Sequence, residues 1–185
     1  MKNNIPIVLD ETQTDEIVKA LKNGKAIIGQ TDTIFGIMSS NLEDIYELKQ
    51  RPKEKKVGCF ISNTNQISGL NEKKAGILNK FWPSPISVVI NQISYRIPGY
   101  KPLLDIVKKT GLIFQSSANI SGKDVVKNIE EAIEVFKDNY DKVIFIKTKR
   151  KNSVNSTIVD LDNMKIIRNG EVDGNIILDE IKEIK

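Results

Sequence analysis

Leu112-Ile113-Phe114-Gln115-Ser116-Ser117-Ala118-Asn119-Ile120-Ser121-Gly122 runs from an apolar segment into hydroxyl, amide and glycine residues, and a helical pattern begins beyond it near Asn128. A strand that ends in small polar residues ahead of a helix leaves backbone N–H groups free. It lets an anion come close and sets the positive end of the next helix beside it. The same residues are also ordinary turn chemistry after a strand. A second, cationic stretch, Lys49-Gln50-Arg51-Pro52, lies elsewhere in the chain, and the two together suggest a polyphosphate pocket.

Outward from this stretch, strands and helices alternate. Downstream, Ile129, Ala132, Ile133 and Phe136 fall at i, i+3, i+4 and i+7, the stripe of an amphipathic helix. Val143–Ile146, Ser156–Leu161 and Lys165–Arg168 read as strands, and Ile177–Ile184 as a last helix. Upstream, Leu103–Lys109 reads as a helix ended by Thr110-Gly111, with strands at Ile86–Ile90 and Ser94–Ile97. Lys73–Phe81 is a helix stopped by Trp82-Pro83-Ser84-Pro85, and Val57–Ile61 a strand. Asn41 caps a helix from Leu42 to about Gln50. Ala26-Ile27-Ile28-Gly29 is a buried strand that runs into a polar turn, Gln30 to Gly36; Asp15–Leu21 is a helix and Pro6–Leu9 a strand. Helices interleaved with strands early, and strands clustered late, predict an α/β domain with a mixed sheet.

The 185 residues suit a single domain, residues 1–185, with enough chain for a core of its own. No apolar run approaches the roughly 20 residues of a membrane helix. Met1-Lys2-Asn3-Asn4-Ile5-Pro6 lacks the apolar core of a secretory signal, so the expected location is the cytoplasm, with no membrane association. The net charge of +4 fits an anionic ligand or RNA, and equally a genome whose bias favours Lys, Asn and Ile. Cys59 is the one cysteine and reads as a small buried hydrophobe. Histidine is absent, which excludes Ser-His-Asp and Cys-His catalysis and histidine-built zinc sites. The chemistry near pH 7 must then come from carboxylates, lysine, hydroxyls, a metal carried by the substrate, or positioning alone.

Lys49 continues the apolar stripe Leu42, Ile45, Tyr46 of its helix and so falls on the inward face, where a lysine either meets an anion or snorkels outward. Arg51, Lys53, Lys55 and Lys56 extend the cluster, although the helix dipole alone accounts for cations at this end. Thr31-Asp32-Thr33, at a strand end, is either a turn or part of a ligand site. Arg96-Ile97-Pro98 and Asn155-Ser156-Thr157 would bring guanidinium, hydroxyl and amide groups to the same cavity. No Walker loop and no G-x-G-x-x-G fingerprint is present.

Seven motifs, in order along Leu21 to Gly170, make the chain resemble the YrdC-like family of threonylcarbamoyl-AMP synthases. They are Thr31-Asp32-Thr33-Ile34-Phe35-Gly36, Lys49-Gln50-Arg51-Pro52, Trp82-Pro83-Ser84-Pro85-Ile86-Ser87, Arg96-Ile97-Pro98, Ser117-Ala118-Asn119-Ile120-Ser121-Gly122, Asn155-Ser156-Thr157-Ile158-Val159-Asp160 and Ile167-Arg168-Asn169-Gly170. The resemblance implies a twisted open mixed sheet with flanking helices around a positively charged concave cavity. It also implies an activity: L-threonine, bicarbonate or CO2, and ATP give threonylcarbamoyl-AMP and pyrophosphate. Downstream threonylcarbamoyl-transferase proteins then modify an adenosine of tRNA, and tRNA itself is a further partner to expect. Lys49 and Arg51 match the family's phosphate clamp, assisted by Lys55. Ser117 and Asn119, with Arg168, match ATP-binding positions, and Thr33, Arg96 and Ser156 match threonine-binding positions. Mg2+ would arrive on the ATP phosphates with no dedicated protein site. The chain departs from the pattern at Phe60 and at Gly99-Tyr100, where relatives carry histidine, at Ser84 in place of glycine, and at Val57-Gly58. Two other readings are a different carbamoyl-adenylate-forming enzyme and a non-catalytic RNA-binding protein of the same fold.

Overall fold

The computed structural model describes residues 5–150 and 154–183. Its strands are β1 (Ile7–Asp10), β2 (Ala26–Gln30), β3 (Phe35–Ser39), β4 (Gly58–Phe60), β5 (Ile86–Ile90), β6 (Ile93–Arg96), β7 (Ile113–Ser117), β8 (Val143–Lys147), β9 (Thr157–Asp160) and β10 (Lys165–Arg168). Its helices are α1 (Thr14–Lys22), α2 (Leu42–Lys49), α3 (Glu72–Phe81), α4 (Lys101–Thr110), α5 (Ile129–Val135) and α6 (Asn175–Lys182). The strands form one ten-stranded sheet in the order β1-β8-β2-β3-β7-β4-β6-β5-β9-β10. Parallel pairs (β1·β8, β2·β8, β4·β6, β5·β9) mix with antiparallel ones, and β1 and β10 are open edges. Among the described residues no helix is long and apolar enough to cross a membrane.

Residues paired across strands share a face, and neighbours along a strand alternate. Ile37, Ser116, Phe114, Cys59, Tyr95, Val88 and Val159 therefore lie on one face. Helices cover that face at both ends. Ile37 packs with Ile45 and Leu48 of α2 and Ala132 of α5, while Cys59, Tyr95, Val88 and Val159 pack with Ile77 of α3 and Ile177 and Ile181 of α6.

The other face is covered only in part. Ile27, Met38 and Ile144 meet Ile17 and Leu21 of α1 and Leu103, Ile106 and Val107 of α4, and this cluster ends at Phe60 and Ile113. The same face runs on through Gln115, Gly58, Ser94, Val89 and Asp160. None of these belongs to a cluster built by the helices, and Gly58, Ser94, Val89 and Asp160 line an open cleft of about 290 Å³. Arg96 lies two residues from Ser94, and Ser87 two from Val89, so both point to this side of the sheet, where each is buried.

Most elements fall where the sequence puts them, with ends shifted by a residue or two. The main correction is β3: residues through Gly36 read as a turn, yet Phe35–Ser39 is a strand buried on both sides. The strand ending in Ser116 and Ser117 is longer than expected, which places Ser117 in the sheet opposite Gly36. The last helix starts at Asn175 and ends at Lys182; Ile184, like Met1–Asn4 of the N-terminal reading, lies outside the described residues.

Candidate active site

Helix α2 starts at Asn41, whose side-chain oxygen accepts from the Glu43 N–H at 3.2 Å, and ends where Gln50 turns left-handed at φ 48°. Ile45, Leu48 and Lys49 are its buried residues, so the amphipathic stripe carries Lys49 inward as its spacing implies. Lys49 is 1% exposed. Its ammonium donates to the Ser117 carbonyl, to the Asn119 carbonyl at 2.8 Å and to Asn119 Oδ1 at 2.9 Å. Three donors thus meet three oxygens. The Ser121 N–H returns a bond to the Lys49 carbonyl at 2.8 Å, which locks the helix end to the bend after β7. Burial, and secondarily the charge of Arg51, pushes the Lys49 ammonium down to about 7.

Asn119 organises the rest of the bend. Its Oδ1 also accepts from Ser117 Oγ at 2.6 Å, and its Nδ2 donates to the carbonyls of Ile120 at 2.9 Å and Lys123 at 2.7 Å. Arg51 is partly exposed and holds the following loop: Nε donates to the Lys55 carbonyl at 3.0 Å and an Nη to that of Lys56 at 2.8 Å. Lys55 contributes its carbonyl to that contact, while its side chain is exposed.

A second constellation forms around the Thr31–Ile34 turn. Thr31 Oγ1 donates to the Ile34 carbonyl and accepts from the Thr33 N–H, and the Gln30 amide donates to the Thr33 carbonyl, so the turn closes on itself. Asp32 and Arg96 are both buried and meet at 3.1 Å. Asp32 also accepts from the Gly99 N–H, and an Arg96 Nη lies 3.4 Å from Thr33 Oγ1. The Arg96 guanidinium stands 4.8 Å from the centre of the Phe60 ring. Burial pushes Arg96 below its ordinary value; Asp32 opposes this and Arg168 adds to it. Arg96 Nε is buried without a partner among the described residues.

Arg168 reaches Ser156 twice, to the carbonyl at 2.9 Å and to Oγ at 3.1 Å, and Ser156 Oγ lies 3.4 Å from Ser87 Oγ. Gly36 joins the first constellation to the second. It pairs with Ser117 across the sheet, and a Cβ there would lie 2.8 Å from the Thr31 methyl and 3.4 Å from the Ser116 carbonyl. The structure therefore brings together Lys49, Ser117 and Asn119, and separately Thr33 with Arg96 and Ser156 with Arg168. Arg51 and Lys55 stand in the loop just past Lys49. Asp32, Phe60 and Ser87 belong to the site although they were not singled out for a role. Asp32 sits inside a Thr-Asp-Thr turn that turn chemistry alone accounts for, and Phe60 and Ser87 are ordinary strand residues until the register is known.

Known proteins share both the sequence and this architecture. The Sua5/YciO/YrdC family, described as "Telomere recombination", matches residues 19–170. A Methanocaldococcus jannaschii protein named putative threonylcarbamoyl-AMP synthase is 30% identical over 196 residues, covering 90% of this chain and 92% of its own. An uncharacterised Mycoplasma pneumoniae protein is 35% identical over 112 residues, 60% of this chain; the match spans only 24% of that longer protein. The crystal structure of P. abyssi Sua5 complexed with L-threonine superposes with a TM-score of 0.79 at 22% identity, over 97% of this chain and 61% of that one. With more than half of its length under the family pattern, this chain belongs to the Sua5/YciO/YrdC family.

Proposed function

We propose that the protein is an L-threonylcarbamoyladenylate synthase, which makes threonylcarbamoyl-AMP and pyrophosphate from L-threonine, CO2 or bicarbonate, and ATP for tRNA modification. The observation that carries the reading is the buried Lys49 ammonium seated on Ser117 and Asn119, which joins two of the family's motifs at one place. Relatives named for this synthase support it, as does the fold shared with a threonine-bound Sua5.

In this reading the threonine amine attacks CO2 and loses a proton, giving an N-carboxylate. That carboxylate attacks the α-phosphorus, the bond to the β-phosphate oxygen breaks, and pyrophosphate leaves. Every reacting atom belongs to a substrate, so a chain without histidine can perform the reaction by positioning and charge. Lys49 has its three N–H bonds taken by the bend. It shapes Ser117–Asn119 and contributes its charge through space, while Arg51 and Lys55 face the phosphates from the loop. Arg168 completes the ATP site. Thr33, Arg96 and Ser156 hold threonine, with the Arg96 guanidinium suited to its carboxylate. Mg2+ would enter the reaction on the ATP phosphates, as MgATP. The product would pass to a threonylcarbamoyl-transferase acting on tRNA, in the cytoplasm.

The test is direct. Pure protein is incubated with ATP, Mg2+, bicarbonate and threonine, and mass spectrometry looks for the mixed anhydride. The expected result is an adduct and pyrophosphate that vanish when threonine or bicarbonate is omitted. ATP turnover indifferent to threonine, or no turnover by folded protein, overturns the reading.

A further inference from the structure

Arg150 stands three residues past β8 and is an exposed residue, yet it grips two other segments of the chain. An Nη donates to the Asp32 carbonyl at 2.9 Å, and the guanidinium stands 5.3 Å from the centre of the Tyr100 ring. Asp32 is therefore held from two sides. Its carboxylate meets Arg96 at 3.1 Å and accepts from the Gly99 N–H at 3.1 Å, while its carbonyl accepts from Arg150.

The chain runs from Gly99 directly into Tyr100, the cap of α4, and α4 is set in the core by Leu103, Ile106 and Val107. The Tyr100 hydroxyl lies 2.9 Å from Thr148 Oγ1. Thr148 gives its one hydroxyl hydrogen to Glu11 at 2.5 Å and accepts from the Arg150 N–H at 3.1 Å. Tyr100 must then be the donor to Thr148, and the threonine oxygen is saturated. These contacts close a ring that runs from Asp32 to Gly99, along the chain to Tyr100, across to Thr148, along to Arg150 and back to the Asp32 carbonyl. The end of β8 does not need Arg150 to stay in place. The Glu11 N–H already donates to the Lys147 carbonyl at 3.0 Å, and the Lys149 N–H to Glu11 at 3.4 Å.

We propose that Arg150 is a positioning residue for the threonine side of the site. It touches no substrate and acts through Asp32, whose carboxylate fixes the buried Arg96 guanidinium. Arginine suits the task because its planar group donates at the edge while its face lies on an aromatic ring. The proposal rests on the reading that Arg96 holds threonine.

The experiment compares wild type with Arg150→Ala and Arg150→Lys in two measurements. One is the KM for threonine and for ATP in pyrophosphate release. The other is hydrogen exchange of the Gly99 amide by NMR, with the Trp82 amide of α3, bonded to the Leu78 carbonyl at 2.9 Å, as reference. In Arg150→Ala the threonine KM is expected to rise about fivefold, the net worth of one hydrogen bond, and Gly99 to exchange faster relative to Trp82. The KM for ATP and the denaturant midpoint should stay close to wild type, as for an exposed residue outside the core. Arg150→Lys, which keeps a charge and a donor near the carbonyl and the ring, should recover most of both effects. Unchanged Gly99 exchange in Arg150→Ala overturns the proposal, as does an unchanged threonine KM or an equal rise in both KM values. Should Arg150→Ala fail to fold, Tyr100→Phe, which keeps the ring and loses only the bond to Thr148, must show the same split in smaller measure; wild-type values in it overturn the proposal. Wild-type protein whose ATP turnover ignores threonine brings down the synthase reading instead, while Gly99 exchange still decides whether Arg150 holds the Asp32 turn.

Discussion

The Lys49 ammonium rests on Asn119, donating to its backbone carbonyl at 2.8 Å and its side-chain oxygen at 2.9 Å. The two residues are 70 positions apart, so this contact joins the end of α2 to the bend after β7. It leaves the lysine with no spare donor, and the shape of the bend depends on it.

Replacing Lys49 with methionine keeps most of the volume and removes the charge. Three acceptor oxygens then lose this donor, although Asn119 Oδ1 keeps the bond from Ser117 Oγ; a buried group left unsatisfied costs about 1–3 kcal/mol, partly offset because a desolvated ammonium is removed as well. Threonylcarbamoyl-AMP formation is expected to fall by about a hundredfold or more, the range for a lost electrostatic donor. Pyrophosphate release is the readout, with circular dichroism and a denaturant midpoint to establish folding. A folded Lys49→Met protein of near wild-type activity would remove Lys49 from the site, and Arg51→Ala tests the loop in the same way.

Nucleotide binding should depend on pH through Lys49. Its ammonium sits at about 7, against 10.5 for an ordinary lysine. Phosphates beside it favour the charged form, so binding takes up a proton, and ATP affinity falls as pH rises above about 7. Stability moves the other way. Between about 7 and 10.5 the unfolded chain holds the proton that the folded chain has lost, so this lysine makes folding more favourable as pH rises through that window. Calorimetry in two buffers of different ionisation enthalpy measures the uptake. Binding without proton uptake at pH 8, or the same uptake in Lys49→Met, contradicts the assignment.

Asp32→Asn tests the buried pair with Arg96. Removing one charge leaves the other buried beside Phe60 without its partner, a loss of about 3–5 kcal/mol. The Gly99 N–H keeps an acceptor in asparagine, so the turn itself is not dismantled. A lower denaturant midpoint and a raised KM for threonine are expected, with the KM for ATP less affected. A variant as stable as wild type would show that the pair contributes nothing net.

The sequence makes Lys49 legible because α2 has a regular apolar stripe, and position 49 falls on it. It leaves β3 illegible because Phe35-Gly36-Ile37-Met38-Ser39 is buried on both faces and so shows no alternation. Its glycine and the polar turn before it also argue against a strand. The uncovered face could not be read at all. It exists because β7, β4, β6, β5 and β9 pair in an order that differs from their order along the chain, and only that register aligns Gln115, Gly58, Ser94 and Val89. Asp32 was hidden for the same reason: its partner Arg96 is 64 positions away in sequence but 3.1 Å away in space.

Gly170→Ala should disturb the threonine side without touching any charged group. A Cβ at Gly170 would lie 2.0 Å from the Asn155 carbonyl oxygen and 2.6 Å from the Ser156 carbonyl carbon. Both obstacles are backbone, so no rotamer change relieves the clash and one segment must move. The Gly170 N–H donates to Thr157 Oγ1 at 2.9 Å, which ties the two segments together and transmits the shift to Ser156. Ser156 in turn holds Arg168 through its carbonyl and its hydroxyl. Overpacking of this kind costs about 1–3 kcal/mol. The KM for threonine should rise several-fold more than it does in Gly76→Ala, a helical control whose added Cβ meets nothing within 4 Å. Equal kinetics for the two variants would mean that Ser156 and Arg168 are not held in place by the Gly170 contact, and that the threonine pocket is set elsewhere.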